Sequence, residues 1–351
     1  MIRWLFKWVV RFGFGVVVLA ICLAAPVVYT ELACQSDVAP QDYVAQLPPE
    51  HHRAESRTLL TYPEWHIVHA YDDYAKVISD GDPHEYGFFR GVYGFWSSLC
   101  NLSKQAGQMG GVPTETKQMV YVIGVSFTAE LAMKAAYEET VGRVFTLLRG
   151  EARAPLDDVS ARQARDYAQF LQQIPWYRWA FNGSDAEIAA GASDGLRDSE
   201  RALALGLEYR AKAAYAQMIE AAVASVGADA LRLRMLVKGL PPQTLEELQD
   251  VTVVTTGSDI VELDTPRYRA LTELLTDMAQ SGADFVEIAG NDTIMFTAIS
   301  ARDSAPGAIT SLPRQGYDDW RHLIVLPVSE LADRLRNLEQ EDLRLEHIHD
   351  Y

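Results

Sequence analysis

The run FGFGVVVLAICLAAPVVYT, from Phe12 to Thr30, carries no charged residue and follows Arg3, Lys7 and Arg11, which alternate with Trp4, Phe6 and Trp8. A helix rises about 1.5 Å per residue, so a run of this length matches a hydrocarbon core of about 30 Å. The basic residues precede the run, while Glu31 and Asp37 come after it. The positive-inside rule then puts the N-terminus in the cytoplasm and the chain after residue 35 outside. The run is long for a cleaved signal peptide, and Pro26 sits just after Ala24 and Ala25. We therefore expect an uncleaved signal-anchor at residues 1–34, followed by a periplasmic part. Glu31 occupies a position where a lipoprotein signal needs an aliphatic residue, so lipidation of Cys34 is not expected.

The Ala-rich composition with Arg in excess of Lys suggests a bacterial inner membrane protein. Of the three cysteines, Cys22 falls inside the span, and Cys34 and Cys100 fall on the exported side. In an oxidising compartment those two form a candidate disulfide. The formal charge of -17 repels phosphates, which argues against non-specific nucleic-acid binding. The expected partners are the membrane, through the first helix, and a protein or small ligand in the cell envelope.

Residues 35–228 show helical signals. Thr61 can cap a helix with Pro63 and Glu64 in its first turn, stopped by Asp80-Gly81-Asp82-Pro83. A Gly- and aromatic-rich helix begins at about residue 84. Thr114 then opens the longest helical pattern, which runs to Gly150. Its apolar part, Met119 to Met133, meets Glu130 and Lys134 before reaching membrane length, so a buried core helix is expected.

Residues 229–338 alternate between strand and helix. LRLRMLV at 231–237 has strand period. VTVVTT and IVEL flank Gly257-Ser258-Asp259 as a hairpin, and Thr265 caps a helix with Leu271, Leu274, Leu275 and Met278 on one stripe. FVEIA and TIMFTAI flank Gly290-Asn291-Asp292 as a second expected hairpin. The order over 231–289 is β-α-β-β-α-β, that of a ferredoxin-like split βαβ unit, extended by further strands and a helix. The fold class is thus an N-terminal transmembrane helix, an all-α domain and an α+β domain. Residues 339–351, with His347 and His349, are expected to be a mobile acidic tail.

Tyr62, His66, His69 and Asp73 recur at intervals of four, three and four, which aligns them on one stripe of a helix. His66, His69 and Asp73 are candidate first-row metal ligands, and a histidine among aromatics is a candidate for haem. The zincin order H-E-x-x-H is absent, because the glutamate precedes both histidines. On the other side of that helix, Trp65, Val68 and Tyr71 read as a packing face. On the long helix, Ser126, Glu130, Lys134 and Glu138 recur every four residues, giving a Glu-Lys-Glu ladder. If that ladder faced inward, it would meet the histidine stripe in one polar centre.

Nucleophile elbow, Walker loop, Rossmann fingerprint and C-x-x-C are all absent from the sequence. The expectation is a non-catalytic binding or assembly role at the membrane. The alternative is a membrane-tethered metal- or haem-dependent enzyme using Tyr62, His66, His69 and Asp73 with Glu130 and Glu138.

Overall fold

The computed structural model describes residues 2–40, 42–226 and 231–351; the expected domain junction at 228/229 lies outside them. The chain begins with α1 (Ile2–Ala33), of which Gly13–Ala33 is long and apolar enough to cross a membrane. The end of α1 is tied to two later helices. Cys34 is disulfide-bonded to Cys100, and Glu31 accepts a hydrogen bond from Tyr121 (2.8 Å) and pairs with Lys117 (3.1 Å).

The helical part comprises α2 (Arg57–Leu60), α3 (Tyr62–Asp80), α4 (Phe88–Ala106), α5 (Thr114–Tyr137), α6 (Arg143–Arg149), α7 (Pro155–Leu171), α8 (Phe181–Gly191) and α9 (Leu196–Val226). A wider π turn, Glu138–Gly142, joins α5 to α6 without breaking the rod. Val120, Gly124, Phe127, Leu131 and Ala135 form the buried side of α5, spaced by three or four residues as one helical face requires. Here α4 crosses close, with Trp96 Nε1 donating to Thr128 Oγ1 at 2.9 Å. The expectation of a core helix therefore holds for one face of α5 only.

A buried ionic knot fastens α9 to the π turn and α7. Arg201 is 1% exposed and is held by Glu138 (2.8 Å) and Glu200, while Arg197 bonds Asp157 (2.9 Å) and Glu200 (3.0 Å). Arg149 bridges Asp82 and Asp157 at 2.9 and 2.6 Å. Each guanidinium is answered by carboxylates, as burial of a charge demands.

The C-terminal part holds β1 (Arg232–Lys238), α10 (Pro242–Glu246), β2 (Thr252–Thr256), β3 (Val261–Pro266), α11 (Arg269–Gln280) and β4 (Asp284–Ile288). It continues with β5 (Thr293–Ser300), β6 (Ala308–Pro313), β7 (Trp320–Pro327), α12 (Val328–Asn337) and β8 (Arg344–His349). The strands make two antiparallel sheets, in the orders β2-β3-β1-β4 and β6-β7-β5-β8. The second order repeats the first, strand for strand, with a loop where α10 would stand.

One core joins Leu271, Leu275 and Met278 of α11 and Leu331 and Leu335 of α12 to both sheets, through Met235, Leu263 and Phe285 of the first and Ile294, Phe296 and Ile348 of the second. The two helices therefore lie between the sheets. Alternation along β5 and β7 turns Met295 and Leu323 the other way, into a core shared with Leu59, Leu60, Tyr62 and Phe95 of the helical part. The second sheet is thus the layer on which the helical part sits.

Three expectations are corrected. The strands around Gly290-Asn291-Asp292 do not pair as a hairpin: β4 belongs to the first sheet and β5 to the second. Ala289 and Gly290 adopt positive φ (52° and 81°), and Asn291 Nδ2 donates to the carbonyls of Arg53 and Ala289. That turn re-aims the chain. Thr265 is not a helix cap but lies in β3, and α11 starts at Arg269. Residues 344–349 are no mobile tail but the strand β8, with His347, His349 and Tyr351 buried and Asp350 paired with Arg267 at 3.0 Å. Acidic composition misled there, because the charges of Glu346 and Asp350 are matched by arginines distant in sequence.

A Cβ at Gly124 would stand 2.4 Å from a ring atom of Phe95 and 3.0 Å from Trp96. Gly124→Ala should therefore cost about 1–3 kcal/mol by overpacking. Gly183→Ala, whose Cβ would meet only Ala180 at 3.8 Å, should be neutral or slightly stabilising. Urea unfolding followed by tryptophan fluorescence distinguishes the two, and equal effects would contradict the packing described.

Candidate functional site

The stripe on α3 is buried. Tyr62, His66, His69 and Asp73 are each 9% exposed or less; Tyr62 and His69 meet His349 and Glu346 of β8, Asp73 meets the loop between β6 and β7, and His66 turns to Gly91, Phe95 and Phe127 of α4 and α5. Beneath them Arg321 of β7 donates to both oxygens of Glu346 of β8, at 2.5 and 2.8 Å. His69 Nε2 stands 3.5 Å from Glu346 Oε2. Asp73 Oδ2 accepts the backbone N–H of Gln315 at 3.0 Å, and Arg314, stacked on Tyr317 at 3.6 Å, pairs with Asp72 at 3.1 Å.

One hydrogen bond fixes the His66 tautomer: its Nε2 lies 2.9 Å from the Gly91 carbonyl, so that nitrogen carries the proton. The Thr272 hydroxyl accepts from the Ile348 N–H (3.0 Å) and lies 2.9 Å from His347 Nδ1. Burial pushes these groups toward their uncharged forms: His66 falls to about 4 and His349 to about 3, while His69 and His347 lie well below the ordinary value. Burial raises Asp73 to about 7 against the opposing pull of Arg321, the Gln315 N–H and Arg314. Burial also raises Glu346, but Arg321 overcomes it and keeps that carboxyl below its usual range.

His66 Nδ1, His69 Nε2 and His349 Nε2 are buried without a hydrogen-bond partner within the protein, while Asp73 Oδ1 and Arg314 Nε face each other at 3.8 Å. Buried polar atoms are nearly always satisfied, by protein or by bound water. The stripe does not amount to a metal centre. Among the described residues no three His, Cys, Asp or Glu side chains are grouped so that they could hold a metal ion. Arg321 acts on His66, His69 and Asp73 alike, and its charge opposes a cation there.

A cleft of about 650 Å³ opens beside the stripe, between α3, α11 and β8. Trp65 and Val68 line it from α3, together with His69, Arg314, Arg344 and His347. Trp65, expected as plain packing, stacks on His347 at 3.4 Å between ring centroids. Arg269 is engaged by Glu273 (2.7 Å) and Arg314 by Asp72 and Asp319. Arg344 and Asp277, also in the lining, have no side-chain partner among the described residues. The cleft thus offers one free cation, one free carboxylate, an aromatic wall and the unsatisfied Nε2 of His69.

The ladder on α5 lies elsewhere. Glu130 accepts from Tyr71 (2.8 Å) and pairs with Lys212 of α9 (2.7 Å), and Lys134 pairs with Glu208 at 3.0 Å. The ion pairs run across helices rather than along α5, because α9 brings its own charges to that face. Glu138 belongs to the Arg201 knot, and Ser126 is exposed. No common centre joins these groups to the histidines. Arg321, Glu346 and Arg314 escaped the sequence reading, and His347 and His349 were expected only in a mobile tail. The one available signal was the alternation in LRLEHIHD, which places His347 and His349 on a strand rather than a tail.

Since the folded protein holds His66 neutral, the unfolded chain binds the extra proton below about 6.5, and stability falls as pH drops through that value. At pH 5 His66 alone should cost about 2 kcal/mol. Asp73 acts with the opposite sign, contributing stability at low pH that is lost as pH rises toward about 7, but it is one group against four buried imidazoles. Denaturant unfolding should show marked loss between pH 7 and 5, and His66→Asn, which can still donate to Gly91, should flatten it. An unchanged slope would contradict the neutral buried imidazole.

Compared with known proteins, the chain matches no family model, no curated protein and no solved structure.

Proposed function

We propose that this is a single-pass inner-membrane protein whose extracytoplasmic part binds a small polar ligand in the cleft between α3, α11 and β8, without catalysing a reaction. In this reading α1 crosses the bilayer with Arg3, Lys7 and Arg11 in the cytoplasm, and the helical part and both sheets lie in the periplasm. The basic flank before the apolar run supports the orientation, and the tie between Cys34 and Cys100 suits an oxidising compartment. For the fold, the order β2-β3-β1-β4 with α10 and α11 as crossovers supports a ferredoxin-like unit over β1 to β4. The second sheet is then a reduced copy of it.

The observation that carries the binding role is the free Arg344 in a cleft whose other arginines are engaged. A ligand with a carboxylate or similar anionic group would meet that guanidinium, and a donor group would meet Asp277. The Trp65 and His347 rings supply a flat apolar wall. Such a site suits an amphoteric molecule of amino-acid or dipeptide size, whose opposite charges match those two free side chains.

The test is native mass spectrometry of the full chain in detergent with a panel of amino acids, dipeptides and simple carboxylates. Arg344→Ala should weaken the retained ligand roughly 10- to 100-fold, the weight of a charge-assisted hydrogen bond. Retention of nothing by the wild type, or equal affinity in the variant, would reject the site. The topology is tested separately, since a reporter fused after Tyr351 should be active only outside the cytoplasm.

A further inference from the structure

The rod formed by α5, the π turn and α6 is apolar on both sides. Opposite its buried face lie Met119, Val122, Met133, Val144 and Leu147, which are 42, 63, 68, 52 and 76% exposed. At roughly 100° per residue Met119, Val122 and Met133 fall on one side of α5, and the π turn rotates Val144 and Leu147 of α6 about the axis relative to them. The stripe is filled out by Ser126, Ala136 and Thr140, which are exposed and uncharged, with exposed Glu115 at its start and the exposed Glu139–Arg143 ion pair at the π turn. On the neighbouring α4, Phe89 and Tyr93 are 67 and 74% exposed. The segment Thr114–Arg149 is long and apolar enough for a membrane span, yet only 33% of its apolar window is buried. A helix that is hydrophobic all round needs cover on its second face.

The way α1 leaves the helical part says what that cover is. Thr30 is 1% exposed, Val27 packs on the core that includes Val120 and Tyr121, and Glu31 is held by Lys117 and Tyr121. All three lie inside or beside the span Gly13–Ala33. Val27 is about 6 Å deeper along α1 than Glu31. Whatever packs on Val27 therefore sits at the depth of the outer headgroups and upper acyl chains. The start of α5, which holds Glu31 through Lys117 and Tyr121, lies beside that depth, and Met119 and Val122 begin the bare stripe there. We propose that α5 and α6 rest on the outer leaflet of the membrane that α1 crosses, with this stripe immersed at the acyl boundary. The inference depends on α1 being the anchor and adds a second, lateral contact with lipid.

Fluorescence quenching of the full chain in phosphatidylcholine nanodiscs tests it. Cys34 and Cys100 are bonded to each other and Cys22 is the free cysteine, so a thiol-reactive fluorophore on the native protein reports the anchor. In a Cys22→Ser background, Met133→Cys and Leu147→Cys report the stripe, and Glu247→Cys, exposed beside the first sheet, is the aqueous control. Doxyl-labelled lipid should quench at 133 and 147 at least about threefold more than at 247, as expected for a face immersed by 5–10 Å, and iodide should do the reverse. With the label at Val144→Cys, adding Met133→Asp and Leu147→Asp should restore access to iodide. These positions are exposed, so the fold is not at risk.

Iodide access at 133 and 147 with Cys22 quenched by lipid would overturn the lateral contact alone. Shielding of 133 and 147 from both quenchers would replace lipid by a protein partner and overturn it likewise. Cys22 open to iodide would reject the anchor and this inference together.

Discussion

Arg321 and Glu346 pair on the face of the second sheet that α3 covers, and the helical part is assembled around that pair. A guanidinium and a carboxylate removed from water lose several kcal/mol of hydration each, and the bidentate contact recovers this only with good geometry and neighbours that complete the field. The neighbours here are the stripe Tyr62, His66, His69 and Asp73. The neutral imidazoles of His66 and His69, with His349 of β8 and the Tyr62 phenol, are compatible with a buried arginine where lysines would not be. Arg321 and Glu346 come from strands separated by β5, so the pair also fixes β7 and β8 relative to each other across that strand.

The same layer serves two cores. Ile294, Phe296 and Ile324 look toward α11 and α12, while Met295 and Leu323 look toward the helices. Strict alternation on β5 and β7 makes this automatic, because successive side chains of a strand point to opposite faces. The first sheet has the same strand order but only one such core. Its outer face carries ion pairs, Arg234 with Glu262 at 3.1 Å and with Asp264 at 3.0 Å, which suit water. The repeated topology thus carries different outer faces: that of the first sheet holds these ion pairs and Glu287, bonded by Tyr43, Gln46 and Leu47, and that of the second holds Met295 and Leu323 with the Arg321–Glu346 pair against the helical part.

Much of the local structure was legible in the sequence. Pro63 and Glu64 mark the start of α3, Gly81 and Pro83 its end, and the Gly257 turn the β2-β3 hairpin, because these depend on backbone rules that act within a few residues. The stripe itself was legible as an unexplained set. Its partners were not, since Arg321 and Glu346 are far away in sequence and nothing local announces a pairing across a sheet. The turn at 289–292 looked like a hairpin for the same reason. Its Gly290 satisfies a tight turn, but whether the next strand joins the same sheet depends on Asn291 reaching the Arg53 carbonyl, a contact made by a segment more than two hundred residues earlier. The bare side of α5 was hidden by averaging: a helix apolar all round gives no periodic signal to say which face is covered.

The cleft and the buried pair are physically linked, and this gives the site its chemical character. Glu346 and His69 line the cleft, yet Glu346 is neutralised by Arg321 and His69 is kept uncharged by burial beside it. The deep wall therefore offers hydrogen-bonding atoms but little net charge. Charge enters only at the rim, through Arg344 and Asp277. A ligand that binds must then place its ionic groups outward and its neutral, flat portion inward against Trp65 and His347. Orientation is set by which of the wall's charges are already paired, so the interaction that docks α3 on the sheet also fixes how a molecule can lie in the cleft.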